Sequence, residues 1–261
     1  MTRIIACAGG KGGVGKTTSV INLGAALNSF GKKVTIVDAN LTTPNIGIYI
    51  GVPIVPVSLH DVLKGKKSIT EAVYLHKSGT RVVPASIALS DLKKVDVSKL
   101  PEAIRGLNGT SDYIIVDVVA GLGKEALNTI KSVNEVLIIT NPEMPAVTDA
   151  LKTIKLCEEL KIPVIGVVIT KTNSKNADMD LKDVEMILER PIIGVVPEDR
   201  AIKFSQAQKD AVINTHPTSV SSIQYKKLAA KLIGIDYDAP LNDEENEGLL
   251  NSFLRFLGFK E

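Results

Sequence analysis

Cysteine is nearly absent. Cys7 and Cys157 are the only two, and no C-x-x-C pair occurs. That scarcity argues against a disulfide framework, a zinc ribbon and a chain-encoded iron–sulfur site. Tryptophan is missing and aromatic residues make up only 4%. Neither sign of charge dominates: 31 Lys and Arg against 29 Asp and Glu give a net charge of +2. A surface built to coat a polyanion is therefore not expected, although a local basic patch is still open. Long hydrophobic runs are also lacking. The longest, near RVVPASIAL and PVIGVVIT, are the size of strands, so no membrane-spanning helix is expected. The first residues lead directly into a strand pattern without a signal peptide, which makes the cytoplasm the expected location. What remains is an ordinary globular mixture, 44% hydrophobic and 23% charged over 261 residues. That is one large domain or two small ones, with ample chain to bury a core.

Short β-rich apolar runs alternate with longer helical patterns. Strands are expected at 3–8, 33–37, 80–84, 113–116, 135–140, 164–170 and 192–196. Helices are expected at 16–30, 59–73, 124–132, 146–160, 180–189 and 220–233. Several strands are apolar on both faces, as buried parallel strands are. The alternation implies repeated βαβ units, hence an α/β doubly wound, mostly parallel sheet with helices on both faces. The one break in composition is IDYDAPLNDEENE, where residues 236–247 form an acidic stretch that reads as a linker. The expected organisation is a domain at 1–235, the linker at 236–247 and a terminal helix at 248–261.

The strongest signal is Ala8-Gly9-Gly10-Lys11-Gly12-Gly13-Val14-Gly15-Lys16-Thr17-Thr18. Gly10 through Thr17 fit G-x-x-x-x-G-K-T, between an apolar strand and a helix, which is the context of a phosphate-binding P-loop. Glycines let backbone N–H groups turn inward around phosphates, and the following helix aims its N-terminus at the same anion. Lys16 is expected to bridge the β- and γ-phosphates and Thr17 to ligate Mg²⁺. Asp38 and Asp117 each end an apolar strand, on the ligand-binding edge of such a sheet. Beside a P-loop, Asp117 is expected to reach Mg²⁺ through water. Asp38 is expected to join the network of Mg²⁺ and attacking water. A lone strand-end carboxylate is as often a loop cap.

GGKGGVGKTT resembles the deviant Walker A motif of the MinD/ParA ATPases, which carries a second lysine early in the loop, here Lys11. The resemblance covers nearly the whole chain. VDANLTTPNIG (37–47), IIVDVVAGLG (114–123), TNPE (140–143) and VPED (196–199) match later family motifs, closest to the MinD branch. It implies that Lys11 reaches across a nucleotide-sandwich homodimer, where a second cation offsets transition-state charge. It places Pro197, Glu198, Asp199, Thr170 and Lys171 near the adenine. Thr170-Lys171 stands where the family often has Asn-Arg. No N-K-x-D occurs, which favours ATP over GTP.

Two departures matter. Asp38-Ala39-Asn40 replaces the family's Asp-x-Asp. Asn40 carries no charge and cannot accept a proton, so slow hydrolysis and a long-lived ATP-bound dimer are expected. Val119 replaces a proline, while Gly121 keeps a backbone N–H near the γ-phosphate as an expectation.

The tail runs Glu247-Gly-Leu-Leu-Asn-Ser-Phe-Leu-Arg-Phe-Leu-Gly-Phe-Lys-Glu261. Leu249, Leu250, Phe253, Leu254 and Leu257 form one apolar stripe at helical period. A last helix docked on the protein's own core has the same pattern. Three features favour a membrane surface: the acidic linker, the concentration of phenylalanine and the terminal position. The resemblance implies the same, with the chain peripheral on the inner face of the cell membrane. Each apolar residue is worth at most roughly 1.5–3 kcal/mol when fully buried. Pairing two helices on a dimer raises avidity by roughly 10²–10⁴. The reading is therefore a MinD-like, ATP- and Mg²⁺-dependent homodimeric switch at the membrane that positions unidentified protein partners. Two alternatives stay open: a ParA-type DNA-partitioning ATPase, disfavoured by the balanced charge, and a non-hydrolysing ATP-dependent adaptor. His60, His76 and His216 lack metal-ligand spacing and read as surface or helix-end residues. Lys64, Lys66 and Lys67 read as a solvated turn.

Overall fold

The computed structural model describes residues 2–93, 95–172 and 179–239. The tail stripe and all but the first residues of the acidic stretch lie outside the described residues. Among those described, the strands are β1 (Arg3–Ala8), β2 (Val34–Asp38), β3 (Tyr74–Leu75), β4 (Arg81–Val83), β5 (Tyr113–Asp117), β6 (Glu135–Thr140), β7 (Val164–Thr172) and β8 (Ile192–Pro197). The helices are α1 (Lys16–Ser29), α2 (Ile46–Tyr49), α3 (Leu59–Leu63), α4 (Leu100–Arg105), α5 (Lys124–Ile130), α6 (Met144–Glu159), α7 (Leu181–Leu188), α8 (Arg200–Ala207), α9 (Val212–Thr215) and α10 (Val220–Ile233).

The sheet runs β3-β4-β2-β5-β1-β6-β7-β8, parallel except for β3. Its strands alternate between two cores. Ile4, Ala6 and Ala8 of β1 face one; Ile5 and Cys7 face the other. β5 divides likewise, Ile114 and Val116 against Ile115, and β6 places Val136 and Ile138 against Leu137 and Ile139. A sheet apolar on both faces needs two layers of helix. One core is closed by α3 to α7, through residues such as Leu59, Ile104, Ile130, Ile154 and Val184. The other is closed by α1, α9 and α10, through Leu23, Leu27, Val212, Tyr225 and Leu228. The chain leaves β1 towards β2 and β4, then returns through β5 and continues outward past β6 to β8. That reversal beside β1 opens a crevice at the carboxyl ends of the strands, the usual ligand position in such sheets.

The expected helix over 59–73 is broken. Gly65 takes φ 72°, and a new 3₁₀ turn starts at Ile69 under a capping box of Ser68 and Glu71. The sequence does not announce β3, α2, α4 and α9, which have two to six residues and are too short to carry a readable apolar period, nor α8. His60 is a helix-end residue, second in α3, but it is not at the surface. It is fully buried, and its Nδ1 accepts from the backbone N–H of Ser86 at 3.0 Å. Lys64 also departs from a solvated turn, pairing with Asp91 at 2.8 Å with its side chain only 10% exposed. The start of the acidic stretch is docked rather than free: the Tyr237 ring packs edge-on against Phe30, centroids 5.5 Å apart.

Candidate functional site

The phosphate loop follows from β1 and ends in α1. Gly10 allows its close approach to α6: a Cβ there would lie 2.7 Å from Asp149 Cβ and 2.8 Å from its carbonyl oxygen. Gly15, at φ 91°, turns the chain into α1 and offers no side chain to cap it, which leaves the helix N-terminus to an anion. The loop is braced from below and from the side. Thr170 Oγ1 donates to Val14 O at 2.5 Å and also lies within 3.2 Å of Thr140 O. Lys171, itself at φ 56°, donates to Gly13 O at 2.7 Å.

The two loop lysines are placed differently. Lys16 is buried and its Nζ donates to Lys11 O at 3.1 Å. Burial lowers its pKa, and Asp117 partly offsets this. Lys11 pairs within the chain with Glu143, 2.7 Å away, both side chains about 40% exposed. That hydrogen bond holds the Glu143 carboxyl below its usual range.

Asp38 and Asp117 end adjacent strands and face each other in register. Asp117 Oδ2 accepts from Thr17 Oγ1 at 2.5 Å, while its Oδ1 is buried without a partner among the described residues. Burial pushes the Asp117 carboxyl up to about 6, against the pull of Thr17 and Lys16. A buried oxygen with an open lone pair beside a threonine hydroxyl suits a hard cation. Asp38 is fully buried and engaged. Its Oδ2 accepts from the N–H groups of Asn45 (3.0 Å) and Ile46 (2.9 Å), and its Oδ1 from that of Asn40 (3.3 Å). Burial, and next the neighbouring Asp117, raise its pKa well above the ordinary range, opposed by those donors.

Asn40 closes a turn. Its Nδ2 donates to Thr43 O at 2.7 Å, and its Oδ1 accepts from Thr43 N and Oγ1, each at 3.1 Å. The first of these bonds is one an aspartate could not make. Gly121 differs from expectation: its N–H donates to Gly10 O at 2.8 Å, tying the loop after β5 to the phosphate loop.

A cleft of about 920 Å³ joins these parts. Lys11, Gly12, Gly13, Val14, Gly15, Lys16, Thr17, Thr18, Asn40, Thr170, Lys171, Pro197, Glu198 and Asp199 all line it. Gly10, Asp38 and Asp117 do not; the two aspartates are buried. Asp199 spends its carboxylate on structure, accepting from Ala201 N at the start of α8 and from Ser221 N and Oγ in α10. Sequence reasoning missed Asn141 and Glu143, which stand in the quoted TNPE segment. It also missed Lys203 and Gln206, carried on the unforeseen α8.

The family model for the CobQ/CobB/MinD/ParA nucleotide binding domain matches residues 5–212. The chain is 36% identical over 257 residues to an uncharacterised ATP-binding protein of Methanocaldococcus jannaschii, covering 98% of this chain and 97% of that protein. Among solved structures it is similar to the cell division ATPase MinD of Pyrococcus furiosus, at TM-score 0.87 and 34% identity, covering 90% and 99% of the two chains. It is also similar to the septum site-determining protein MinD of Pyrococcus horikoshii in complex with Mg-ADP, at TM-score 0.86 and 32% identity, covering 89% and 96%.

Proposed function

The chain belongs to the CobQ/CobB/MinD/ParA nucleotide-binding family, and on that premise we propose that it is a MinD-like ATPase switch. Nucleotide and Mg²⁺ are cofactors of this family. In this reading ATP and Mg²⁺ close two copies into a homodimer, and hydrolysis releases it. The observation that carries the reading is the pairing of the glycine loop with the Thr17–Asp117 couple, whose buried Asp117 Oδ1 lacks a partner among the described residues. Bound nucleotide and metal supply the charge that this pocket is shaped to hold.

Each residue then has a task. Loop N–H groups and the α1 N-terminus hold phosphate oxygens, and Lys16 leaves Lys11 O to meet them. Thr17 and Asp117 hold the cation. Asp38 acts on it only through the loop that it organises. Lys11 reaches the second subunit after parting from Glu143, a surface pair that costs little to open. Lys171 and Pro197–Asp199 flank the base. Asn40 orients a water but takes no proton from it, so turnover is slow. The bonds of Asn40 to Thr43 also favour a second reading, an adaptor that binds ATP without hydrolysing it.

The proposed dimer attaches to the inner face of the cell membrane through residues 248–261 and positions partner proteins there. Size-exclusion chromatography with light scattering tests the core of this reading. ATP should double the 27.9 kDa mass and ADP should not. A monomer under ADP, ATP and no nucleotide alike sinks it. Vesicle co-sedimentation with ATP, before and after removal of 246–261, tests the attachment; equal pelleting refutes it. A salt-dependent DNA shift with ATP would favour the partitioning alternative.

A further inference from the structure

Side chains from inside and outside it hold the loop between β2 and α2; one of them, Asn45, donates to Thr43 O at 2.9 Å. Asp38 and Asn40 lie in or beside that loop and bond within it. Glu125 comes from outside it, on α5. Its Oε1 accepts from Leu41 N at 2.5 Å and its Oε2 from Thr42 Oγ1 at 3.0 Å. Two bonds to one carboxylate hold both the Asn40–Leu41 peptide and the Thr42 side chain, because the fork of oxygens accepts along two directions at once.

Glu125 stands in the first turn of α5, directly after the loop at 118–123. In that loop Gly121 N–H donates to Gly10 O of the phosphate loop. A short covalent and hydrogen-bonded path therefore runs from Gly10 through Gly121 and Glu125 to Leu41, next to Asn40 on the cleft wall. Among the described residues, the two bonds of Glu125 are the only side-chain hydrogen bonds between the segments 39–46 and 118–125.

We infer that Glu125 is a positioning residue that yokes the loop after β2 to the loop after β5, so that the protein tells ATP from ADP with both loops moving together. The inference rests on the nucleotide reading above. If one loop shifts at the third phosphate, the carboxylate carries Leu41 and Asn40 with it. Without Glu125, the loops share among the described residues only the main-chain bond from Ala39 N–H to Asp117 O at their bases, and the preference for the triphosphate falls. A mere structural brace would lower affinity for both nucleotides alike.

The test uses the full chain as wild type, Glu125→Ala and Glu125→Gln. Calorimetry with MgADP and with a Mg²⁺ complex of a slowly hydrolysed ATP analogue reads the ratio of the two affinities. Glu125→Ala should lose about tenfold for the ATP analogue while MgADP stays within about twofold, and Glu125→Gln, which keeps an acceptor for Leu41 N, should recover most of the ratio. Amide exchange of Leu41 without nucleotide should quicken at least about tenfold in the alanine variant. An unchanged ratio, or an equal fall for both nucleotides, overturns the coupling while the nucleotide reading stands. A wild type that binds neither nucleotide overturns that reading, and the coupling with it.

Discussion

Asp38 and Asp117 occupy equivalent places at the ends of neighbouring strands, yet the chain beyond them treats them in opposite ways. After β2 the loop folds back and points three N–H groups at Asp38. After β5 the loop turns away towards Gly10, and Asp117 receives only the Thr17 hydroxyl. A strand-end position makes a carboxylate available; the supply of local main-chain donors decides whether it organises the chain or is left for a ligand. The same rule separates Asp199, consumed by α8 and α10, from Asp117.

The contrast breaks most visibly at Asp38. Replacing it with alanine strands three N–H groups and should cost about 3–5 kcal/mol in denaturant unfolding of the nucleotide-free chain. A loss below about 1 kcal/mol would mean that the loop finds other acceptors.

At Asp117, which lacks such main-chain donors, a neutral replacement should move stability the other way. Its carboxyl titrates near 6 in the fold, against an ordinary value of 3.8. The folded chain thus binds this proton more tightly than the unfolded chain. The ionised group costs stability in full above about pH 6, up to about 3 kcal/mol, and the cost fades as pH falls towards the ordinary carboxylate range. Asp117→Asn should therefore raise the melting temperature of the nucleotide-free protein near neutral pH, by an amount that shrinks on acidification, and weaken Mg²⁺-dependent nucleotide binding. Lower stability at neutral pH would show that Asp117 is satisfied without a ligand.

The finest distinction is at Asn40. Asn40→Asp sets a carboxylate against Thr43 O in place of an amide donor and should cost about 1 kcal/mol. It should also speed single-turnover hydrolysis; equal rates would end the argument that Asn40 slows the cycle.

The phosphate loop was legible because its backbone demands glycine at set positions and its lysine and threonine follow at fixed spacing. The central strands were legible because both of their faces are apolar. Asp38 and Asp117 are both legible as strand-end carboxylates with different expected tasks, but the engagement of Asp38 by the loop is not, since it lies in main-chain N–H groups that have no letter in the sequence. Glu125 went unnoticed for a related reason: its partners, Leu41 N and Thr42, lie more than eighty positions earlier. The burial of His60 is not legible because nothing in its neighbours signals that Ser86 closes over it.

The two thiols have a practical consequence. Cys7 lies in one core and Cys157 in the other, both without exposure. Burial pushes both thiols up, that of Cys157 to about 11. Neither presents thiolate to a reagent at neutral pH. A cysteine introduced on the rim of the cleft would therefore be the single site taken by a maleimide dye. Spectroscopists can follow assembly on the native background, with no need to remove either natural sulfur.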